Sequence, residues 1–449
     1  MRFIVPLRAR ALAPACLAAA ASLCSTVIAP AHAQEDGRLS LTAQDSTAPF
    51  TSAREPDGAL TLAAAINLAL AHSPDLAVAS REYEATEGNL IQGRARPNPQ
   101  AGYVQEGVDS TGRDNSRVTT LQISQPIELG GKRQARIDAA QKLRESANAD
   151  LVTRRNEIRA QATGLFFEVL AAQERVRLAR DSVALAGRAT DATSRRVTAG
   201  RTSPVEETRA RVAQAGAQLE LVQAGSELNT ARQKLAALWG SRLPHFERAD
   251  GRVDALPGLP AAADLQGRME RSPHLRRAQI EVERRKALTE VERARRVPDV
   301  TFTVGARRPE ELGRNQLMLG VSIPIPILDT NRGNIYEAAR REDKARDELL
   351  ATRVRLNAEV LQARERLASS SGELDLLQNT VLPGALSAYE AATTGFELGK
   401  FQFLDVLDAQ RTLFQAKGQY LRTLAEAHRA AAEIDRLLGD APNAEEKQP

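Results

Sequence analysis

Between Lys132 and Val197 no proline interrupts a helical pattern far longer than a globular core can use. Leu151, Ile158, Leu165, Ala172 and Ala179 are spaced by seven, and Ala162, Val169, Val176 and Val183 form a second series four residues behind the first. Apolar positions that alternate by three and four, with Arg and Glu filling much of the remainder, are the pattern of a coiled coil. About 65 residues at a rise of 1.5 Å reach roughly 100 Å. A helix of that length must lie against other long helices, which predicts a tube or bundle and argues against a pocket enzyme.

An aromatic fraction of 4% suits long packed helices. The 61 basic residues are dispersed among 57 acidic ones, so a net charge of +4 describes a mildly basic surface without the concentrated patch that nucleic-acid binding requires. The amino end reads as an export signal: Arg2, Arg8 and Arg10 precede an apolar run from Leu17 to Ile28, which stops before the small-x-small site Ala31-His32-Ala33. The mature chain is expected to begin at Gln34. Cys16 and Cys24 both fall in the removed segment, in poor contexts for lipidation, so neither a disulfide nor a thiol ligand is expected. No later apolar run reaches the roughly 20 residues of a membrane-spanning helix.

The chain then repeats itself. His72-Ser-Pro-Asp-Leu76 returns as Arg271-Ser-Pro-His-Leu275, Ser124-Gln-Pro-Ile127 as Ser322-Ile-Pro-Ile325, and Gly200 as Gly399, which predicts an internal duplication. The expected division is a signal segment (1–33), an extended arm (34–58), a first repeat (59–240), a linker (241–260), a second repeat (261–439) and a disordered tail (440–449). Each repeat reads as a helix (about 60 to 95, then 261 to 296), two short alternating segments, a long helix and a returning helix. The alternating segments are Gln100 to Val108 with Arg117 to Gln125, and Asp299 to Arg307 with Asn315 to Ile323. Their length and one-sided apolarity are what a membrane β-barrel strand needs.

Four strands cannot close a barrel or leave their edges bare in lipid, whereas three chains would supply twelve. Pro126 with Gly130 and Gly131, and Pro324 and Pro326 with Gly333, are expected to hinge strand to helix. The long helices break at Gly200 and Gly399, and Ser203, Pro204 and Glu206 read as a capping box at the start of the returning helix.

Three motifs carry a family resemblance over essentially the whole mature length: Ile123-Ser-Gln-Pro-Ile-Glu-Leu-Gly-Gly-Lys-Arg133, Ile323-Pro-Ile-Pro-Ile-Leu-Asp329 followed by Arg332-Gly333, and Asp405-Val-Leu-Asp-Ala-Gln410 after Gly399. The chain resembles an outer-membrane efflux channel of the TolC type, and is most similar to the cobalt-zinc-cadmium (CzcC-type) branch. The resemblance implies a mainly α fold with a membrane β-barrel, in which a homotrimeric tunnel of twelve helices continues a twelve-stranded barrel. It also implies docking to a periplasmic adaptor (membrane fusion) protein and an inner-membrane pump of the RND type, with export of divalent heavy metals. A drug-type or type I protein-secretion channel of the same fold is an alternative reading, as is a structural coiled-coil rod of the envelope. At the two positions where the resemblance puts a Tyr and an Arg that tie the entrance shut, this chain has Phe396 and Phe401.

No enzyme motif is found. His72, His245, His274 and His428 lack metal-ligand spacing, and there is neither a phosphate loop nor a nucleophile elbow, so no catalytic, cofactor or metal site is expected. Trp239 reads as a packing residue. Asp405 and Asp408 share one helical face just past the Gly399 turn, where threefold symmetry would gather six carboxylates around a pore constriction. Glu206 and Arg209 hold the corresponding places of the first repeat.

Overall fold

The computed structural model describes residues 55–56, 58–107, 117–251, 256–398 and 400–439. The export segment with Arg2, Arg8, Arg10, Cys16 and Cys24, most of the arm, the turn from Asp109 to Ser116, Gly399 and the tail from 440 lie outside the described residues. The first half runs β1 (Ala59–Thr61), α1 (Leu62–His72), α2 (Pro74–Arg94), β2 (Gln100–Glu106), β3 (Val118–Ile127), α3 (Lys132–Thr198), α4 (Pro204–Ala237) and β4 (Arg248–Asp250). The second runs α5 (Ala262–Glu270), α6 (Pro273–Arg295), β5 (Val300–Pro309), β6 (Gln316–Ser322), α7 (Arg332–Leu376), a π turn (Leu377–Val381), α8 (Leu382–Glu397) and α9 (Phe403–Leu438).

The single helix expected at the start of each half is two helices, divided by Ser-Pro. Ser73 and Ser272 each accept a backbone N–H of the helix that follows, and Pro74 and Pro273 occupy its first position, where no helical donor is lost. The Ser272 hydroxyl also donates to the Leu437 carbonyl at 2.7 Å, so the break is tied to the end of α9.

The α3 helix runs unbroken for 67 residues. Along its first half it is bridged to α2 by Arg144 and Glu87 at 3.0 Å and to α6 by Lys142 and Glu283 at 2.7 Å. Along its second half Glu168 meets Lys234 of α4 at 3.2 Å, and the Phe167 ring stacks on the His428 imidazole of α9 with centroids 3.4 Å apart. Surface pairs of this kind contribute about 0–1 kcal/mol each. The seam does more: Ile158, Ala162, Val169, Ala172, Val176 and Ala179 are buried, and a fully buried Val or Ile is worth about 1.5–3 kcal/mol. Facing it, α4 buries Ala210, Ala217, Ala224 and Ala231, a heptad stripe whose small side chains let the two helices approach closely.

The second long helix contains Pro383, which has no N–H to give and whose ring crowds the carbonyl four residues back. The π turn absorbs this: the Leu382 N–H bonds to Leu377 O, five residues back, and helix resumes with Pro383 in the first turn of α8.

The expected linker is partly ordered as β4, paired in parallel with β1 (Leu60 opposite Ala249). Three residues are too few for a periodicity to show in sequence. Beside this pair Glu55, 5% exposed, accepts the Trp239 indole N–H at 2.8 Å and the backbone N–H groups of His245 at 2.5 Å and Phe246 at 3.2 Å. Trp239 is thus a packing residue with its one donor satisfied. Burial works against ionisation of Glu55, but the hydrogen bonds from Trp239, His245, Ser241 and Phe246 together outweigh it and hold the carboxyl below the usual glutamate range. A depressed folded pKa contributes stability that is present above about pH 4.3 and is lost as pH falls through the folded value. Emission of Trp239, the single tryptophan, should therefore shift to the red on acidification below about pH 4.3. Glu55→Gln should abolish that acid step, and Glu55→Ala should show red-shifted emission even at neutral pH, having left the indole N–H and the backbone N–H groups of His245 and Phe246 unpaired at about 1–3 kcal/mol each.

Candidate functional site

The four longer strands form one antiparallel sheet in the order β2-β3-β5-β6, with Tyr103 opposite Leu121, Leu121 opposite Ala306 and Ala306 opposite Leu317. One face carries Tyr103, Leu121, Ile123, Phe302, Val304, Leu317, Leu319 and Val321, all exposed. The other carries Thr120, Gln122, Ser124, Thr303 and Arg307, and on it the Ser124 and Thr303 hydroxyls meet at 2.9 Å. An apolar face outward and a polar face inward is the arrangement of a membrane barrel wall.

Beneath the sheet the strands pass into helices. Gly130 and Gly131 both hold left-handed backbone, φ 70° and 74°, and Gly131 is the N-cap of α3. Only Gly130 is also confined: a Cβ there would lie 2.6 Å from Val297 Cβ. Pro126 is not where β3 ends, since pairing continues through Pro126 opposite Thr301 to Ile127 opposite Val300. The β2 side has no partner beyond Ser124, so a missing N–H on that side removes no ladder bond. Pro324 and Pro326 follow the end of β6 as expected, but Gly333 is an ordinary residue in the first turn of α7. The left-handed residue of that junction is Asn331, φ 58°. Asparagine tolerates this conformation because its short amide bonds locally, and here its Nδ2 donates to the Glu292 carbonyl oxygen at 2.8 Å and to the Glu292 carboxylate at 3.0 Å.

At the far end of α3 the helix closes on Gly200, φ 68°, with the Gly200 N–H on Val197 O and the Arg201 N–H on Arg196 O, both 2.9 Å. The capping box expected after it is half present. Ser203 Oγ accepts the Val205 N–H at 3.3 Å, but Glu206 pairs with Arg209 at 3.1 Å instead of reaching back. The complete box is in the second half: Asp405 accepts the Gln402 N–H at 2.9 Å while the Gln402 side chain accepts in return. Asp405 is therefore a helix cap; Asp408 stands exposed one turn on.

The two turns are joined by a contact that no motif indicated. Arg196 donates from Nη2 to the Phe396 carbonyl at 2.6 Å and lays its guanidinium over the Phe396 ring, 4.0 Å from the centroid. Phe401 folds back over Gly395, whose carbonyl accepts the Lys400 N–H at 2.7 Å and the Phe401 N–H at 3.2 Å. A Cβ on Gly395 would collide with the Phe401 ring. Among the described residues no three His, Cys, Asp or Glu side chains converge as a metal site.

A model of the outer membrane efflux protein family matches residues 65–241 and again 265–440. The chain belongs to that family. Among relatives of this efflux protein, the cobalt-zinc-cadmium resistance protein CzcC of Cupriavidus metallidurans is 50% identical over 386 residues, covering 86% of this chain and 91% of its own. The nickel-cobalt-cadmium resistance protein NccC of Alcaligenes xylosoxydans xylosoxydans is 28% identical over 67% of this chain and 69% of its own. The solved outer membrane protein VceC of Vibrio cholerae shares the fold with a TM-score of 0.69 at 18% identity, covering 85% of this chain and 96% of that one. The efflux protein is placed in the outer membrane by its family. No single helix among its described residues is long and apolar enough to cross a membrane, a statement that bears on helices only.

Proposed function

We propose that this efflux protein is the outer-membrane duct of a tripartite system and works as a homotrimer. The observation that carries the reading is a pair of matching open edges. In the sheet, β2 and β6 each have one unpaired side. In the helical layer α4 exposes Val205, Val212 and Leu219 at intervals of seven, while α7, at the opposite edge, exposes Val354 and Leu361 at the same interval. Strand edges bare in hydrocarbon are untenable, and β6 of one copy would run antiparallel to β2 of the next. Three copies give twelve strands and bring each α4 stripe against a neighbouring α7. Native mass spectrometry in detergent should find three chains, and the same preparation should conduct in a planar bilayer. A conducting monomer would overturn the assembly, and a trimer without conductance would favour the structural rod.

The half-identity to a cobalt-zinc-cadmium resistance protein supports divalent heavy-metal cations as cargo, received from an inner-membrane RND pump through a periplasmic adaptor. The duct itself is passive. Deleting it should sensitise cells to cobalt, zinc and cadmium. Sensitivity to drugs, or loss of a secreted protein, with metals tolerated as before would point to the alternative channel types.

At the tip, the Arg196 clasp on Phe396 serves as the catch of the closed entrance, and Asp405 and Asp408 line its mouth. The first half adds little charge there, since Glu206 and Arg209 neutralise each other. A ring of carboxylates binds multivalent cations most strongly and is screened by salt. Hexamminecobalt on the periplasmic side should block conductance, and Asp405→Asn with Asp408→Asn should relieve the block, while the amide oxygen of the first substitution still caps α9. Undiminished block in the double variant would reduce both residues to surface and capping roles.

A further inference from the structure

The segments at the helix end of the strands carry exposed arginines without a carboxylate partner among the described residues. Residues 94–99, 128–138, 290–299 and 328–337, which link strands to helices, hold nine Lys or Arg against seven Asp or Glu. Residues 106–117 and 307–314, at the other end of the same strands, hold five of each. Within the helix-end collar Lys132 is paired with Asp299, Arg136 with Glu128, Arg293 with Glu290 and Arg295 with Glu292. The exposed guanidinium groups of Arg94, Arg96, Arg296 and Arg332 have no partner among the described residues.

These four arginines lie where the apolar face of the sheet runs out. Ile127, Leu129, Ile325 and Leu328 carry exposed apolar surface down to the collar. Long cationic side chains at such a boundary rest their stems on apolar surface and present their charge to water or headgroups. Arg96 also stands on a cleft of about 550 Å³ between α2, α3 and α6, whose other two arginines are already paired, Arg136 with Glu128 and Arg284 with Glu281. That volume holds a phosphodiester headgroup. We infer that this collar, with Arg96 as its anchor, binds the phosphate groups of anionic phospholipid in the periplasmic leaflet. The inference rests on the barrel reading given above, which puts the helix end of the strands at that leaflet.

The test uses the full chain in detergent and phosphatidylglycerol as the probe, with phosphatidylcholine and inorganic phosphate as separate arms. Each basic group near an anionic surface contributes roughly fivefold in affinity. The variant with Arg94, Arg96, Arg296 and Arg332 all changed to Gln should lose at least about a hundredfold of phosphatidylglycerol binding by native mass spectrometry and thermal shift. The same four changed to Lys should retain most of it. Removing an equal charge far from the strands, at the exposed Arg155, Arg188, Arg276 and Arg355, should leave it unchanged. Binding that survives the four Gln changes, or that falls equally in the remote variant, overturns the inference. So does equal binding of phosphatidylcholine, or displacement of the lipid by millimolar inorganic phosphate, which would make the collar a site for the free ion. A parent that conducts without preferring anionic lipid defeats only this inference, whereas a parent that does not conduct defeats the barrel reading.

Discussion

Replacing Arg196 with alanine should convert a mostly closed channel into a leaky one. On the proposed role of the clasp, the closed entrance would lose a charge-assisted hydrogen bond, about 1.5–3 kcal/mol, and a cation–π contact of about 0.5–1 kcal/mol. Even a net 2 kcal/mol shifts the balance of closed to open roughly 30-fold in each protomer, and the proposed homotrimer would have three such clasps. Phe396→Leu keeps the carbonyl that Arg196 grips and removes only the ring, so its effect should be much smaller, about two- to fivefold. Arg196→Lys should fall between the two, because a point charge keeps the attraction but not the planar stacking. Single-channel recording of the three variants checks the order. Conductance of Arg196→Ala equal to that of the parent would show that the clasp joins the turns without holding the entrance.

Gly130→Val should be far more damaging than Gly131→Val, although the two glycines are adjacent and share a left-handed backbone. Both substitutions cost about 1–2 kcal/mol for a side chain at positive φ. Only at Gly130 does the new Cβ also meet Val297, at 2.6 Å, and a clash in a packed junction adds about 1–3 kcal/mol. Val297 leads into β5, so relief of the clash would have to move the start of that strand. The expected result is a severe loss of folded protein in the outer membrane for Gly130→Val and a mild one for Gly131→Val, read as heat-resistant oligomer per unit of total chain. Equal yields from the two would mean that the junction yields without cost.

The two glycines show where sequence reading stops. A proline followed within five residues by two glycines, between an alternating segment and a heptad helix, is enough to predict a hinge there, since the two periodicities cannot be continuous. Which glycine is indispensable depends on Val297, which approaches from a different part of the chain. In the second half the same reasoning selected Gly333, yet the chain turns at Asn331 because Glu292 of α6 offers its carbonyl and carboxylate to the amide. Asp405 and Asp408 are legible as a pair on one helical face, and a capping box is legible at Ser203 and Glu206, but the complete box forms at Gln402 and Asp405.

By itself the sequence determined the order of the four longer strands and the long helices, the length of α3, the one-sided strands and the family. These rest on local periodicity and on motifs of ten or so residues, which neighbours in the chain decide among themselves. The tertiary structure alone decided the contacts that close the molecule on itself. Arg196 grips a carbonyl 200 residues away, and Glu55 collects donors up to 191 residues away. The strand order β2-β3-β5-β6 leaves one edge from each half of the chain unpaired. Such pairings carry no periodic signal, because they depend on where separate helices and strands come to rest and on which charge or carbonyl then lies within hydrogen-bond reach.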